Sequence, residues 1–115
     1  MRSSDTAVDL LPGTLEMLIL KTLSVAPMHG YGIAQQIQRL SREALLVEEG
    51  SLYPALQRLA AKGWVTAEWK LSPTKRRARY YRLTATGRKQ LGLEASAFER
   101  AVEAITRVMQ AADVT

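Results

Sequence analysis

Between residues 51 and 83 the spacing of apolar residues changes from the period of a helix to that of a strand, and nothing else in the chain restricts its fold as much. Leu52, Ala55, Leu56 and Leu59 share one side of a helix and must be core, while Tyr53, Pro54, Gln57, Arg58 and Ala61 share the other. A proline inside a helix costs about 3 kcal/mol. With Ser51 as N-cap, Pro54 becomes the third helical residue. The first-turn N–H groups have no intrahelical partner, so a proline there marks the beginning of the helix. Gly63 is placed to end it after Lys62. "WVTAEWKL" then alternates, with Val65, Ala67, Trp69 and Leu71 on one face. "SPTKRRA" is a polar turn, and "RYYRL" is a second β-prone run.

Two helices precede this unit. Leu15, Leu18, Ile19, Thr22 and Leu23 form the buried stripe of one that starts near Gly13-Thr14. "APMHG" stops it with Pro27 and Gly30. A short second helix is predicted from about Tyr31 to Ser41, burying Ile33 or Ala34, Ile37 and Leu40. Helix, helix, helix, strand, basic turn, strand is the order of a winged helix-turn-helix, a mainly α fold with a small β-hairpin. A long last helix follows from a Thr84 N-cap. Along it Leu91, Ala95, Phe98, Val102, Ile105 and Met109 are spaced 4, 3, 4, 3, 4, a heptad-type seam. The domain has too little surface to cover that seam, so pairing with a second copy is expected, the alternative being that the helix folds back on the first. The expected organisation is a flexible N-terminal tail over 1–10, a winged helix-turn-helix domain over 11–83 and a dimerisation helix over 84–115.

The net charge of +5 is unevenly placed. Residues 69–93 hold eight bases (Lys70, Lys75, Arg76, Arg77, Arg79, Arg82, Arg88 and Lys89) and no acid, while the other 90 residues carry eight bases against eleven acids. A basic segment on a near-neutral body points to a polyanionic partner. No cysteine is present, which removes thiol nucleophiles and thiolate metal sites. The polar, acidic start lacks the apolar core of a signal peptide, and no apolar run approaches the ~20 residues of a membrane span. A soluble cytoplasmic protein is expected, with no membrane partner. His29 is the only histidine and reads as a solvated loop residue, and the adjacent Glu48 and Glu49 read as solvent-facing charges before a helix N-terminus. No glycine-rich phosphate loop is present. Catalysis, metals and cofactors are therefore not expected.

The winged helix-turn-helix order, the polar face of the third helix and the basic turn suit double-stranded DNA recognition. Gln57 has the geometry for an adenine edge and Arg58 for guanine or a phosphate. Ser51 and the free N–H groups of the helix start suit a phosphate. Pro54 and Ala55 are short enough to bring the helix end close to the bases, with Tyr53 beside them. Lys75, Arg76, Arg77 and Arg79 on the turn suit phosphates, which contribute affinity without sequence choice. A protein–protein module facing an acidic partner is the competing reading of the same surface.

"LPGTLEMLILKTL", "PMHGYGIAQQI", "EEGSLYPALQRLAAKGWV" and "RRARYYRLTATGRKQL" together resemble the PadR family of transcriptional regulators from Leu11 to about Met109. The pairing of "GSLYPAL" with "YYRLTATG" some 25 residues later is specific to it. The single C-terminal helix resembles the compact branch, and "LLPGTL" resembles a subgroup common in acidobacteria. The resemblance implies a homodimer that binds an inverted-repeat operator, usually represses, and is often released by a small-molecule effector. It matches Ser51, Tyr53, Pro54 and Gln57 to the recognition helix, Lys75, Arg76, Arg77 and Arg79 to the wing, and Tyr31 and Gly32 to a backbone-contacting helix start. Some compact members bind flat drugs through a tryptophan on the terminal helix. Here that helix has Phe98 instead, and Trp64 and Trp69 lie outside it, so drug binding does not carry over.

Overall fold

The computed structural model describes residues 13–112; the tail expected over 1–10 lies outside the described residues. In chain order they form α1 (Thr14–Leu23), β1 (Met28–His29), α2 (Gly30–Leu40), α3 (Glu49–Ala61), β2 (Val65–Leu71), β3 (Arg77–Leu83) and α4 (Ala85–Met109). The strands make one antiparallel sheet in the order β1-β3-β2.

α1 is the centre of the molecule and packs against α2, α3, α4 and β3. That position buries more of it than one stripe: Leu20 is fully covered along with Leu15, Ile19 and Leu23. Glu16 is buried too, and hydrogen-bonded. Arg58 Nε donates to its Oε2 at 2.7 Å and Lys62 Nζ to its Oε1 at 3.3 Å, tying α1 to the end of α3. Burial pushes the Glu16 carboxyl upward, but the hydrogen bonds and charges of Arg58 and Lys62 outweigh it and hold the group below its ordinary 4.5. A lowered folded-state value means that this stability is complete above the unfolded value and is lost as pH falls through the folded one. Glu16→Gln should therefore cost about 1–2 kcal/mol near neutrality, with urea melts of variant and native protein converging as the pH falls below the carboxylate's lowered value. An equal gap at neutral and acid pH would rule the pairing out.

The core register of α3 is as expected, with Leu52, Ala55, Leu56 and Leu59 at most 1% exposed. Its start is not. The Glu48 carbonyl accepts from the N–H groups of both Ser51 and Leu52, so the cap is Glu48 and the helix begins at Glu49. Ser51 is a first-turn residue, and Pro54 stands inside the helix as its sixth. The bond that Pro54 omits would have ended on the carbonyl of Gly50, an exposed residue of the first turn. Gly63, at φ 77°, ends the unit as expected.

α2 begins one residue earlier than expected because His29 caps it: the Gly32 N–H donates to His29 Nδ1 at 2.9 Å. The His29 ring also meets Tyr80 edge-on at 5.5 Å, so it is a half-buried structural residue rather than a solvated one. Met28 and His29 pair with Tyr81 and Tyr80, adding a short third strand to the expected hairpin. Ile33 and Ile37 are buried on α2 as expected, but Leu40 is 65% exposed, because the last turn of α2 projects beyond the core.

α4 is fastened at its first turn. The Thr84 N–H donates to the Trp64 carbonyl at 3.0 Å and its hydroxyl donates to the Gly63 carbonyl at 2.8 Å, while the same hydroxyl accepts from the Gly87 N–H. Gly87 is buried against that strand end. A Cβ there would overlap the Trp64 carbonyl oxygen and come within 2.8 Å of Leu83 Cδ1, so only glycine lets the backbones approach. Beyond the joint, Leu91 packs on the chain's own core and Ala95 is half-buried. The expected seam is therefore split. Its first part folds back, while Phe98, Val102, Ile105 and Met109, at 46, 43, 60 and 77% exposure, are uncovered along the rest. The helix ends at Met109.

Candidate nucleic-acid interface

The hairpin register decides what faces α3. Val65 pairs with Leu83, Ala67 with Tyr81, Trp69 with Arg79 and Leu71 with Arg77, so these eight share one sheet face. Near the root that face is core: Val65 and Tyr81 are buried. Towards the tip it leaves the core, and the apolar alternation continues into Trp69 and Leu71, 58 and 69% exposed.

The tip is a tight five-residue connection. The Lys75 N–H donates to the Ser72 carbonyl and the Ser72 N–H to the Arg76 carbonyl, each at 2.8 Å. Lys75 takes φ 65°, the left-handed residue that such a turn requires. Pro73 sits at the second turn position, where its fixed φ suits the bend. The Ser72 hydroxyl accepts from the Arg76 N–H at 3.2 Å and bonds Thr74 Oγ1 at 2.9 Å.

Between this hairpin and α3 lies an open groove of about 810 Å³. Tyr53 and Gln57 line it from the helix, Arg76, Arg77 and Arg79 from the hairpin, and Tyr31 from the start of α2. No carboxylate is among the lining residues. Tyr53 is held in place by packing: its ring edge lies so close to Gly30 that a Cβ there would sit 2.8 Å from Cε1. Burial, followed by the charge of Glu49 and the neighbouring Tyr81, pushes the Tyr53 hydroxyl above its ordinary 10.0, so it is a neutral hydrogen-bond donor at physiological pH.

Six of the residues singled out from the sequence, Tyr31, Tyr53, Gln57, Arg76, Arg77 and Arg79, thus meet in one groove. Gly32 lies instead on a second groove of about 650 Å³ between α2 and α3, which shares Tyr31 and Tyr53 with the first. Ser51 and Pro54 are exposed on α3 outside both linings, and Lys75 is exposed in the turn. Arg58 is absent from the groove and engaged with Glu16. Lys70 and Arg82 fall on the opposite sheet face, where Lys70 pairs with Glu68 at 3.2 Å. The sequence reading missed Trp69 and His29, which complete the groove walls. The parity of Trp69 with Val65 was visible, but its place opposite arginines needed the strand register.

Three helices packed on an antiparallel sheet, with a basic hairpin beside an exposed helix face, define a winged-helix protein. Residues 19–93 match the Transcriptional regulator PadR-like family, and the chain belongs to that family. A transcriptional regulator from Clostridium thermocellum superposes with a TM-score of 0.76 at 28% identity, over 83% of this chain and 92% of that one. A PadR family transcriptional regulator from Eggerthella lenta superposes at 0.73 and 27% identity, over 87 and 85% of the two chains. An uncharacterized 37.1 kDa protein of a Streptomyces fradiae transposon is 40% identical over 85 residues, which span 74% of this chain but only 23% of that protein. PadR-like regulators bind DNA and are not enzymes, so the chain is a DNA-binding regulator by family. Among the described residues no helix is long and apolar enough to cross a membrane, and no cluster of three or more potential metal ligands occurs.

Proposed function

We propose that this regulator is a homodimeric repressor that binds an inverted-repeat operator, inserting α3 into the major groove while the hairpin contacts the flanking phosphates. The observation that carries this reading is the acid-free groove, in which Tyr53 and Gln57 face three arginines across a gap between helix and hairpin. Gln57 reads a base edge, Arg76, Arg77 and Arg79 hold phosphates, and Lys75 extends the same cationic tip. Ser51 and Pro54 lie on the exposed side of the same helix, where they contact the duplex around that centre. The half-exposed Arg58, held through Nε by Glu16, offers its remaining donors beside them. Tyr31 and Gly32 meet the backbone beside it. The uncovered Phe98, Val102, Ile105 and Met109 support pairing of the tails, since a row of that size seldom stays bare on a monomer. Release from DNA by a small molecule that binds between the paired tails completes the reading.

A mobility shift on the DNA upstream of the protein's own gene tests the reading. Gln57→Ala should change which operator is preferred, by ~1–3 kcal/mol at the base pair concerned. Arg76→Ala with Arg77→Ala should instead weaken binding to every duplex about equally. A single-chain mass at working concentration, together with indifference to DNA, would discard the reading in favour of a module for an acidic protein partner.

A further inference from the structure

We propose that Trp69 is a positioning residue for the wing: its ring orders Arg77 and Arg79 along the groove before any nucleic acid arrives. The inference rests on the DNA-binding reading and assigns a role to a residue outside it. Trp69 is an indole left 58% exposed on the groove wall. Arg79 is its direct cross-strand partner and Arg77 its diagonal neighbour. Their guanidinium carbons stand 5.9 and 5.1 Å from its ring centroid, within the ~6 Å reach of a cation–π contact. Arg79 lies 5.9 Å from the Tyr81 ring as well. Among the described residues the ion pairs are formed by Arg58, Lys62, Lys70 and Arg107, not by these two arginines.

The choice of partner matters chemically. A carboxylate would fix an arginine by occupying its N–H donors and cancelling its charge. An aromatic face restrains the planar group while leaving its charge and donor edges free for phosphate. The ring therefore lowers the disorder lost on binding without competing for the ligand.

The test replaces Trp69 with leucine, which keeps apolar bulk in the strand, and with phenylalanine, which keeps a ring. Trp69→Leu should weaken binding to operator and random duplexes alike by roughly three- to tenfold, and Trp69→Phe should recover most of the loss. Arg77→Ala with Arg79→Ala should then cost less in the Trp69→Leu background than in the native one, because the ring acts through them. Native affinity in Trp69→Leu, or losses that simply multiply, would overturn the role. A DNA-free readout guards against a variant that merely loosens the sheet. In the native protein the side-chain resonances of Arg77 and Arg79 should be displaced by the indole ring current, and unshifted resonances would overturn the stack itself. A native protein with shifted arginines that ignores all DNA refutes the binding role together with the DNA reading, whereas undiminished DNA binding by Trp69→Leu refutes this inference alone.

Discussion

Gly87→Ala should destabilise the protein by about 3 kcal/mol or more and lower its melting temperature by about 10 °C, the largest effect expected of a single added methyl group here. Alanine is ordinarily the better helix residue, by about 1 kcal/mol. At Gly87 that gain is overwhelmed, because the new carbon would overlap the backbone carbonyl of Trp64 rather than the yielding end of a side chain. Relief would require α4 to lift off the strand end, breaking the Thr84 bonds to Gly63 and Trp64 together. Gly92, in the same helix with nothing within 4 Å, is the internal control: Gly92→Ala should stabilise by about 0.5–1 kcal/mol. Melts at equal protein concentration decide the matter, since the proposed pairing would make the midpoint concentration-dependent. If Gly87→Ala melts with the native protein, the described joint is wrong.

DNA affinity should fall ~10³–10⁵-fold between about 50 and about 200 mM salt, as expected if two copies together neutralise roughly 6–10 phosphates. Each copy supplies Arg76, Arg77 and Arg79 from the groove wall and Lys75 from the turn. Removing one of these arginines from both copies should lower the slope of log affinity against log salt by about 2, the share of two phosphates. Fluorescence anisotropy on operator and random duplexes measures it. A flat salt profile would remove the electrostatic role assigned to the hairpin.

The wider fold was legible because local periodicity and tertiary demand agreed. Leu52, Ala55, Leu56 and Leu59 repeat at helical spacing and are the floor of the core, and Val65 and Ala67 begin an alternation that the sheet keeps. Thr84 capped its helix as read. One failure is local, and the others sit where a long-range contact overrode a local signal. Ser51 looked like a cap, yet the chain turned helical earlier, at Glu49 with Glu48 as the cap, which leaves Pro54 inside the helix. "APMHG" reads as a breaker. Its Met28 and His29 become a strand only because β3 arrives some fifty residues later to pair with them. The groove was half legible. Charge and exposed face named its helix and turn residues, whereas Arg58 found Glu16 on a distant helix and Trp69 found its arginines through register.

The joint at Thr84 and Gly87 has a mechanical consequence. A 25-residue helix is a rod about 37 Å long, clamped at one end to the loop that leads from α3 into the hairpin. Pivoting such a rod by ten degrees carries its far end about 6 Å, and held by that end it swings the head through the same arc. In a paired molecule, whatever alters the angle at which the two rods cross also alters the distance between the two heads, against a duplex whose half-sites repeat every ~34 Å.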